Sequence, residues 1–498
     1  MTTAVSVAGV RRWVRRTQSA HKERGETLGN FYFAVLFVAI VGGMVHRQLA
    51  AVFWPASPHA SALAGAGLAL AVTGALYLVL RRLGPLSLSR PATSWLLTAP
   101  VSRRRLLLPS LWWATVAAAA AGALGGFAIL GHTVTRPVPD AAALLPALGA
   151  LTGGGLLLVA LGAQADRWWS ARSDDLAYLL LAAGLAALVT DAAGAALPAM
   201  SGWPPAPTLA AVVTALALVA VVFWLLAARR LEWTPNDRIV EASKTAGTLA
   251  DSAFGVEPSF VTEMMERRYW ARRRLRSRRL SPRIPVLTAQ DLLMVRRRPR
   301  RMLWLAGATT LPALLSNAPG WVLASAVLVG GLVAGGVTTA SVRTDAGNPW
   351  MLRMLGLSSR KAVLHRLWVP GVLAALWYAA ALILLRSLGD LPAGPWWALG
   401  LALGPVGAVA AVRKARTGFV DNSLLPLETP MGSLSTGPLL AAIAGVDVLL
   451  LGLPTVVQIA QSEPLTWTGV VVQAGVGIFG ARAYLSGTTA TDRVELSD

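Results

Sequence analysis

The sequence contains no cysteine, and only 14% of its 498 residues are charged. Without cysteine the chain forms no disulfide and no thiolate metal site, and cysteine catalysis is excluded. Soluble proteins carry about 25% charged residues, so a globular chain of this length would lack the charge to keep its surface hydrated. The hydrophobic content of 55% and the mean hydropathy of +0.57 exclude a disordered chain. These absences favour a membrane protein.

Motifs of several enzyme classes are also missing. Each of the four lysines, Lys22, Lys244, Lys361 and Lys414, follows a residue other than glycine, so the chain has no G-x-x-x-x-G-K-[ST] phosphate-binding loop. The five histidines are scattered without an H-E-x-x-H pattern, and no G-x-S-x-G elbow occurs. We therefore expect no catalytic, cofactor-binding or metal-binding residue in this chain, and no enzymatic activity of its own.

What the sequence does have is long apolar blocks. Twelve of them are long enough, or nearly so, to cross about 30 Å of hydrocarbon as helices. Their continuous apolar character favours helices over a β-barrel, whose strands would alternate. The blocks are 28–45, 61–80, 106–131, 141–163, 177–198, 208–228, 302–318, 321–341, 367–385, 395–412, 437–460 and 464–481. The weakest are 302–318 and 321–341, separated only by a tight turn or by the tip of a re-entrant hairpin.

Basic residues predict the orientation. All but three of the 45 Lys and Arg residues lie on one side of the predicted membrane, and the exceptions are Arg47, Arg136 and Arg386. Cytoplasmic loops carry this excess, so both termini are expected in the cytoplasm, with the basic N-terminus as part of an uncleaved anchor. The same distribution explains the net charge of +21 without nucleic-acid binding, which we do not expect.

The chain repeats itself. Six blocks, a long basic segment and six more blocks follow one another, and the stretch from Trp95 to Trp112 resembles that from Trp350 to Trp368. Each half has an even number of blocks, so the halves share one orientation. The predicted fold is therefore an all-α integral membrane protein of about twelve transmembrane helices, arranged as two parallel six-helix repeats. The expected domains are residues 1–228, a basic cytoplasmic connector with amphipathic helices at 229–301, and residues 302–498.

The two similar loops share one design. A short apolar stretch with a tryptophan is broken by proline or glycine, and Ser102 or Ser358 then precedes the next helix as a candidate cap. A basic cluster follows, which is expected to anchor the helix start at the anionic inner leaflet. Its members are Arg103, Arg104 and Arg105 in the first loop and Arg360 and Lys361 in the second. The apolar stretches are too short to cross, so they are either simple interfacial anchors or docking elements.

This arrangement of a short apolar helix and a serine-basic cluster before the third of six spans resembles the permeases of type-2 ABC exporters. The resemblance implies a multi-pass protein of the bacterial plasma (inner) membrane, with alternating access between two fused halves. It also implies that the loops contact a dimer of separate cytoplasmic ABC ATPase subunits, which would use the ATP. The implied ATPase-coupling residues are Trp95, Leu96, Leu97, Ser102, Trp350, Met351, Leu352 and Ser358. Family members are usually single six-span chains that dimerise, whereas here both units are fused.

Two alternatives stay open. Asp166 and Arg167 resemble the Asp-Arg signature of major facilitator carriers, which makes a twelve-span secondary carrier the second hypothesis, although here the pair follows the fourth block. A polyprenyl-linked membrane transferase is a third. Acidic residues inside apolar blocks are costly, so Asp447 and Asp191 are candidates for a substrate pathway. The alternative for both is an acid satisfied by a neighbouring hydroxyl, backbone group or arginine.

Overall fold

In a computed structural model the chain is predominantly helical and divides into two compact units, Met1–Ala253 and Phe254–Asp498. The structure describes residues 61–88, 90–97, 102–133, 139–194, 206–253, 283–315, 318–417, 427–429, 432–434 and 443–488, together with isolated positions between 9 and 46. Within these ranges the one sheet is an antiparallel hairpin of β1 (Leu427–Thr429) and β2 (Gly432–Leu434). The all-α class is confirmed apart from this hairpin.

The described part of the first unit contains five long helices and one short one before the connector. They are α1 (Ala62–Leu83), α2 (Arg90–Trp95), α3 (Arg103–Thr133), α4 (Pro139–Ala165), α5 (Arg167–Ala192) and α6 (Ala206–Arg230). A 3₁₀ turn (Leu231–Trp233) and α7 (Asn236–Ala253) follow. Helix α1 shows why the boundaries fall where they do. The Ser61 hydroxyl accepts from the Leu63 amide at 3.1 Å, and Gly84, at φ 78°, ends the helix.

The second unit is more broken. Its helices are α8 (Val286–Arg297), α9 (Pro299–Gly307), α10 (Gly320–Gly336), α11 (Ala340–Ala346), α12 (Pro349–Met354), α13 (Ser359–Ser387), α14 (Trp396–Ala402), α15 (Gly404–Arg416), α16 (Leu453–Gln461) and α17 (Trp467–Gly487). The unit also has two 3₁₀ segments. Ala308–Leu315 directly follows α9, and Asp447–Gly452 directly precedes α16. Proline inside or next to these segments interrupts the backbone hydrogen-bond ladder, which explains several of the breaks.

Glycine controls the packing of the first unit. Helices α3 and α4 touch along Gly122 and Gly126 on one side and Gly149 and Gly153 on the other. A Cβ atom on Gly122 would lie 2.1 Å from the Gly149 carbonyl oxygen, and one on Gly153 would lie 2.1 Å from the Ala118 carbonyl oxygen. The backbones therefore approach to a distance that only glycine allows, as in other membrane helix pairs. Helix α1 packs against α3, α4 and α5.

Aromatic side chains take this role in the second unit. Tyr378 of α13 lies over Gly331 of α10 and donates its hydroxyl to the Leu328 carbonyl at 3.0 Å. The neighbouring Trp377 donates its indole N–H to the Leu305 carbonyl at 3.1 Å. Helix α10 packs against α13, α15 and α16, and α15 packs against α17. The core of this unit thus pairs large rings with glycine, whereas the first unit pairs glycine with glycine.

Eight described helical segments are long and apolar enough to cross a membrane, with α14 and α15 counted together as one of them. The number is nine if the bent pair α10 and α11 also counts as one span. These agree with nine of the twelve apolar blocks. Block 28–45 lies outside the described ranges. Block 302–318 is not one continuous helix, because α9 has 9 residues and Pro312 lies in the 3₁₀ segment that follows. Block 437–460 contributes a 6-residue 3₁₀ segment and the 9-residue α16.

The exposed surfaces of the long helices are apolar, which indicates whether lipid or water surrounds them. Helix α6 is apolar all round, and none of the residues in its most apolar stretch is buried within the chain. The chain has many exposed large apolar side chains, and Phe223 on α6 and Phe479 on α17 are among them. A helix that is apolar on every side and not covered by protein is suited to lipid rather than water. The structure is that of a helical, multi-pass membrane protein.

The predicted connector, 229–301, does not stand apart at its two described ends. Helix α7 packs against α1 and α2 in the first unit, whereas α8 packs against α13 in the second. Residues 254–282, which hold most of the arginine-rich segment, lie outside the described ranges. The ends of the connector are therefore structural parts of the units they adjoin.

Candidate functional site

A short helix precedes the long third helix of the first unit. This helix, α2, ends at Trp95, and the amides of Leu96 and Leu97 both donate to the Ala92 carbonyl, at 3.0 and 3.2 Å. Helix α3 begins at Arg103, and the Ser102 carbonyl accepts from the Leu106 amide at 3.1 Å. The predicted short helix in this loop is confirmed, and Ser102 lies immediately before the helix that it was expected to cap.

The corresponding loop of the second unit has a defined end. Helix α12 starts with Pro349 at its first position and ends in a Schellman motif. The Leu357 amide donates to the Leu352 carbonyl at 3.0 Å, and the Gly356 amide donates to Arg353 at 2.9 Å. Gly356 has φ 68°, which favours glycine. The predicted glycine break is confirmed, and Ser358 caps α13 by accepting from the Lys361 amide at 3.4 Å.

Exposure separates the predicted coupling residues into two groups. Trp95 is 78% exposed, Trp350 is 58% exposed and Met351 is also exposed. Leu97 and Leu352 are instead buried in their own units, Leu97 with residues of α3 and Leu352 with Leu287 of α8 and Ala362 of α13. Leu96 is half-buried. The two buried leucines therefore attach the short helices to the long ones and leave the tryptophans on the surface.

Two exposed apolar residues were missed in the second loop. Met354 and Leu355 lie beside Trp350 and Met351, one turn further along. The helical spacing of these four residues was present in the sequence, since residues four apart share a face. We call Trp350, Met351, Met354 and Leu355 the α12 patch. The described part of the first loop has no equivalent patch, because Trp95 follows Thr93 and Ser94.

All but one of the basic residues in the two clusters are exposed. Arg104, Arg105, Arg360 and Lys361 are exposed, as an anchoring role at lipid headgroups requires. Arg103 is not. Its guanidinium donates to the Glu232 carbonyl at 3.2 Å and to the Asn236 side chain, so it fastens the start of α3 to the segment after α6. Arg103 therefore contacts other residues of the protein rather than lipid headgroups.

The most buried charges of the second unit form a cluster that the sequence analysis missed. Arg366 of α13 is 2% exposed, and its Nη1 lies 2.5 Å from Oδ1 of Asp291 on α8. The Nε atom donates to Oδ2 of Asp345 on α11 at 2.8 Å, and Nη2 donates to the Gln290 side chain at 2.9 Å. Ser341 donates to Asp291 Oδ1 at 2.8 Å. One arginine thus joins α8, α11 and α13.

A signal for this cluster was present. Arg366 directly precedes the apolar block 367–385, and Asp291 is the one acid in the predicted amphipathic helix before the seventh block. Their pairing depends on α8 lying against α13, which no sequence pattern showed. Burial raises the pKa of Asp291 to about 6, although Arg366 and Ser341 both act to lower it.

Most of the chain, including both loops, matches a known protein family. Residues 56–421 match a model described as "Family of unknown function (DUF6297)". The chain belongs to this family. The part of this DUF6297 protein that matches includes both short helices and the Arg366 cluster, but not Asp447. No curated protein and no solved structure matches the chain.

In this DUF6297 protein Asp447 is not in the middle of a helix. The 3₁₀ segment begins at Asp447, whose Oδ1 accepts from the Gly445 and Val448 amides at 2.8 and 2.9 Å. Its Oδ2 lies 2.6 Å from Nη2 of Arg413. The geometry matches the alternative in which backbone and arginine satisfy the acid. Asp191 lies, half-buried, in the last turn of α5.

The Asp-Arg pair of the carrier hypothesis has a local role. Asp166 Oδ1 accepts from the Trp168 amide at 2.8 Å, so Asp166 is the N-cap of α5. Asp and Asn are common at this position, where they satisfy an otherwise unpaired helix amide. The likeness to the carrier signature therefore has a sufficient explanation in helix capping.

Proposed function

We propose that this protein is the membrane-spanning permease of an ABC transporter, an exporter driven by a separate cytoplasmic ATPase dimer. The observation that carries the proposal is a pair of short helices, α2 and α12, each presenting an exposed tryptophan just before the longest helix of its unit. In permeases of this kind, such a helix transmits the movement of the ATPase to the membrane. The chain itself hydrolyses no ATP and holds no cofactor.

The internal packing of the units supports two equivalent halves. In the first unit α1 packs against α3, α4 and α5, and α4 packs against α6. In the second unit α10 packs against α13, α15 and α16, and α15 packs against α17. Taken in chain order, these are the same partners. We infer a duplication of a six-span unit, with twelve crossings in total and both termini in the cytoplasm of a bacterium.

The contacts of α12 indicate how a force applied to the α12 patch would reach the neighbouring helices. Leu352 on the buried side of α12 packs with Leu287 and Ala362, and the Schellman motif leads directly into α13. Arg366, two turns along α13, ties that helix to α8 and α11. A load on the α12 patch would therefore move α8, α11 and α13 together. ATP binding would close the ATPase dimer, shift both short helices and tilt the helices behind them.

The proposed orientation is testable with single cysteines, because the native chain has none. Glu463→Cys and Ser387→Cys should react with a membrane-impermeant maleimide in intact cells, since both positions are exposed at the predicted outer ends of helices. Asp237→Cys and Lys361→Cys, exposed at the inner ends, should react only after permeabilisation. Reaction of the inner pair in intact cells would reverse the orientation.

The docking role predicts a loss of ATPase binding. Trp350→Ala should weaken association with the proposed ATPase partner by about 2 kcal/mol, roughly thirtyfold in Kd, because exposed tryptophans dominate such interfaces. Trp95→Ala should cost less, since its described chain neighbours are the polar Ser94 and the half-buried Leu96. Trp113→Ala is the matched control, an exposed tryptophan within the span of α3. The measurement is co-purification of each variant with the ATPase at equal membrane yield.

Two outcomes would count against the permease. Undiminished co-purification in both single variants and in the double variant would leave α2 and α12 as interfacial anchors. In vesicles, the purified chain should transport only with the ATPase and ATP. Flux driven by an ion gradient with the chain alone would favour the secondary carrier.

A further inference from the structure

The buried cluster around Arg366 carries unequal charge. One guanidinium faces two carboxylates, those of Asp291 and Asp345, so the three ionised side chains sum to a net negative charge. Asp291 is fully buried and Arg366 is 2% exposed, whereas Asp345 reaches solvent. An excess charge away from water is costly unless a proton or a cation neutralises it.

One oxygen of Asp291 is available for that neutralisation. Oδ1 accepts from both Ser341 and Arg366, but Oδ2 is buried and receives no hydrogen bond from any described residue. The arginine is already committed, since its three nitrogens bond to Asp291, Asp345, Gln290 and the Leu287 carbonyl. No described donor lies within hydrogen-bond distance of Oδ2.

Among the described residues, no second cation has an influence on Asp291 comparable to that of Arg366. Arg366 of α13 and Asp345 of α11 are the charged groups that influence Asp291. Most other ionisable side chains on the elements around it are at least partly exposed: Arg296 and Arg297 on α8, Arg300 and Arg301 on α9, Arg343 on α11, and Arg360, Lys361 and His365 on α13. Arg298, at the C-terminal end of α8, is buried, but Oδ2 of Asp291 accepts no hydrogen bond from it. A metal ion would need several oxygen ligands, and the described residues contain no group of three acidic or histidine side chains suited to one.

We propose that Asp291 is a proton-binding site: its Oδ2 atom takes up one proton from solvent and brings the cluster of Arg366, Asp291 and Asp345 to neutrality while α8 is packed on α13. Arg366 then keeps the Asp345 carboxylate as its counter-charge, together with Gln290 and the Leu287 carbonyl. The proton leaves when Asp291 meets water. Proton uptake therefore favours the packed arrangement of α8, α11 and α13, and this inference does not depend on the permease proposal.

The sign of the pH effect follows from the raised pKa. The packed cluster holds a proton between about pH 4 and pH 6 that an Asp of ordinary pKa, 3.8, has already released. The contribution of Asp291 to stability therefore falls as the pH rises through this window and is constant above it. Asp291→Asn imitates the protonated form, keeps an acceptor for Ser341, and should remove this dependence.

The experiment is an infrared titration of the full-length protein in lipid nanodiscs between pH 4 and pH 8. We expect a protonated-carboxyl band with a midpoint near pH 6, absent from Asp291→Asn. Asp345→Asn should lower the midpoint, because it removes the carboxylate that raises the pKa of Asp291. A band that titrates only near pH 4, or one unchanged in Asp291→Asn, would refute the proposal.

A thermal measurement provides the second readout. The melting temperature of the native protein should fall by several degrees, relative to Asp291→Asn, as the pH is raised from 4 to 6. Parallel pH dependence in the two proteins would contradict proton binding at Asp291. Replacing sodium by choline distinguishes a cation from a proton, since a midpoint that moves with sodium would assign the site to the metal ion. Loss of ATPase binding in the docking experiment would leave all of these results unaffected.

Discussion

Gly153→Leu should eliminate the folded first unit, whereas Gly154→Leu should leave it intact. A Cβ atom at Gly153 would lie 2.1 Å from the backbone carbonyl oxygen of Ala118, and a backbone atom yields only if the whole helix moves. At Gly154 nothing lies within 4 Å of the same added atom. Overpacking in a core costs about 1–3 kcal/mol when side chains can adjust, and we expect more here because they cannot.

The measurement is the fraction of each variant that is monodisperse after detergent extraction. The thermal unfolding of that monodisperse protein is then recorded. The two glycines are adjacent on α4 and the substitutions are identical, so differences in hydropathy or helix propensity cancel. Gly153→Ala should already show a large part of the loss, since its single Cβ makes the same contact. Equal yields for Gly153→Leu and Gly154→Leu would show that α3 and α4 do not approach as closely as described.

At pH 8, where Asp291 is ionised, Arg366→Gln should destabilise the second unit by about 3–5 kcal/mol, the range expected when one partner of a buried ion pair is removed. The change leaves Asp291 buried without its arginine, and it unfastens α8 and α11 from α13. Arg360→Gln is the control, an exposed arginine on the same helix, with an expected effect below about 0.5 kcal/mol. Stability is measured as thermal unfolding in nanodiscs.

A double variant separates charge from packing. Arg366→Gln combined with Asp291→Asn removes both buried charges, so it should recover part of the stability that Arg366→Gln loses alone. Recovery identifies the uncompensated carboxylate as the main cost. If the two single losses simply add, Arg366 acts through its bonds to Asp345 and Gln290, and the ion pair with Asp291 contributes little.

The placement of helices was largely predictable because it depends on local composition. Nine of the twelve apolar blocks correspond to long helices or to the bent pair, and the short helices before Arg103 and Ser359 lie where a tryptophan and a glycine or proline indicated them. Apolar length and chain breakers are properties of neighbouring residues, so they can be recognised without knowing the fold.

The character of individual residues was less predictable. The apolar block 437–460, if it formed one helix, would place Asp447 near its middle, but the helical segment begins at Asp447 itself, after Gly445 at φ 87°. Leu97 and Leu352 belong to the same apolar stretches as Trp95 and Trp350, yet they face the opposite way. Which side of a six-residue helix is buried depends on what packs against it.

The sequence by itself determined that this is a helical membrane protein, where most of its helices lie, and that it contains two similar loops rich in tryptophan and basic residues. Those features follow from hydropathy and charge along the chain. Only the tertiary structure decided that Gly153 touches a backbone while Gly154 does not, and that Arg366 joins Asp291 and Asp345. These contacts link residues far apart in the chain, and their energy depends on distances of a few ångströms that no local pattern encodes.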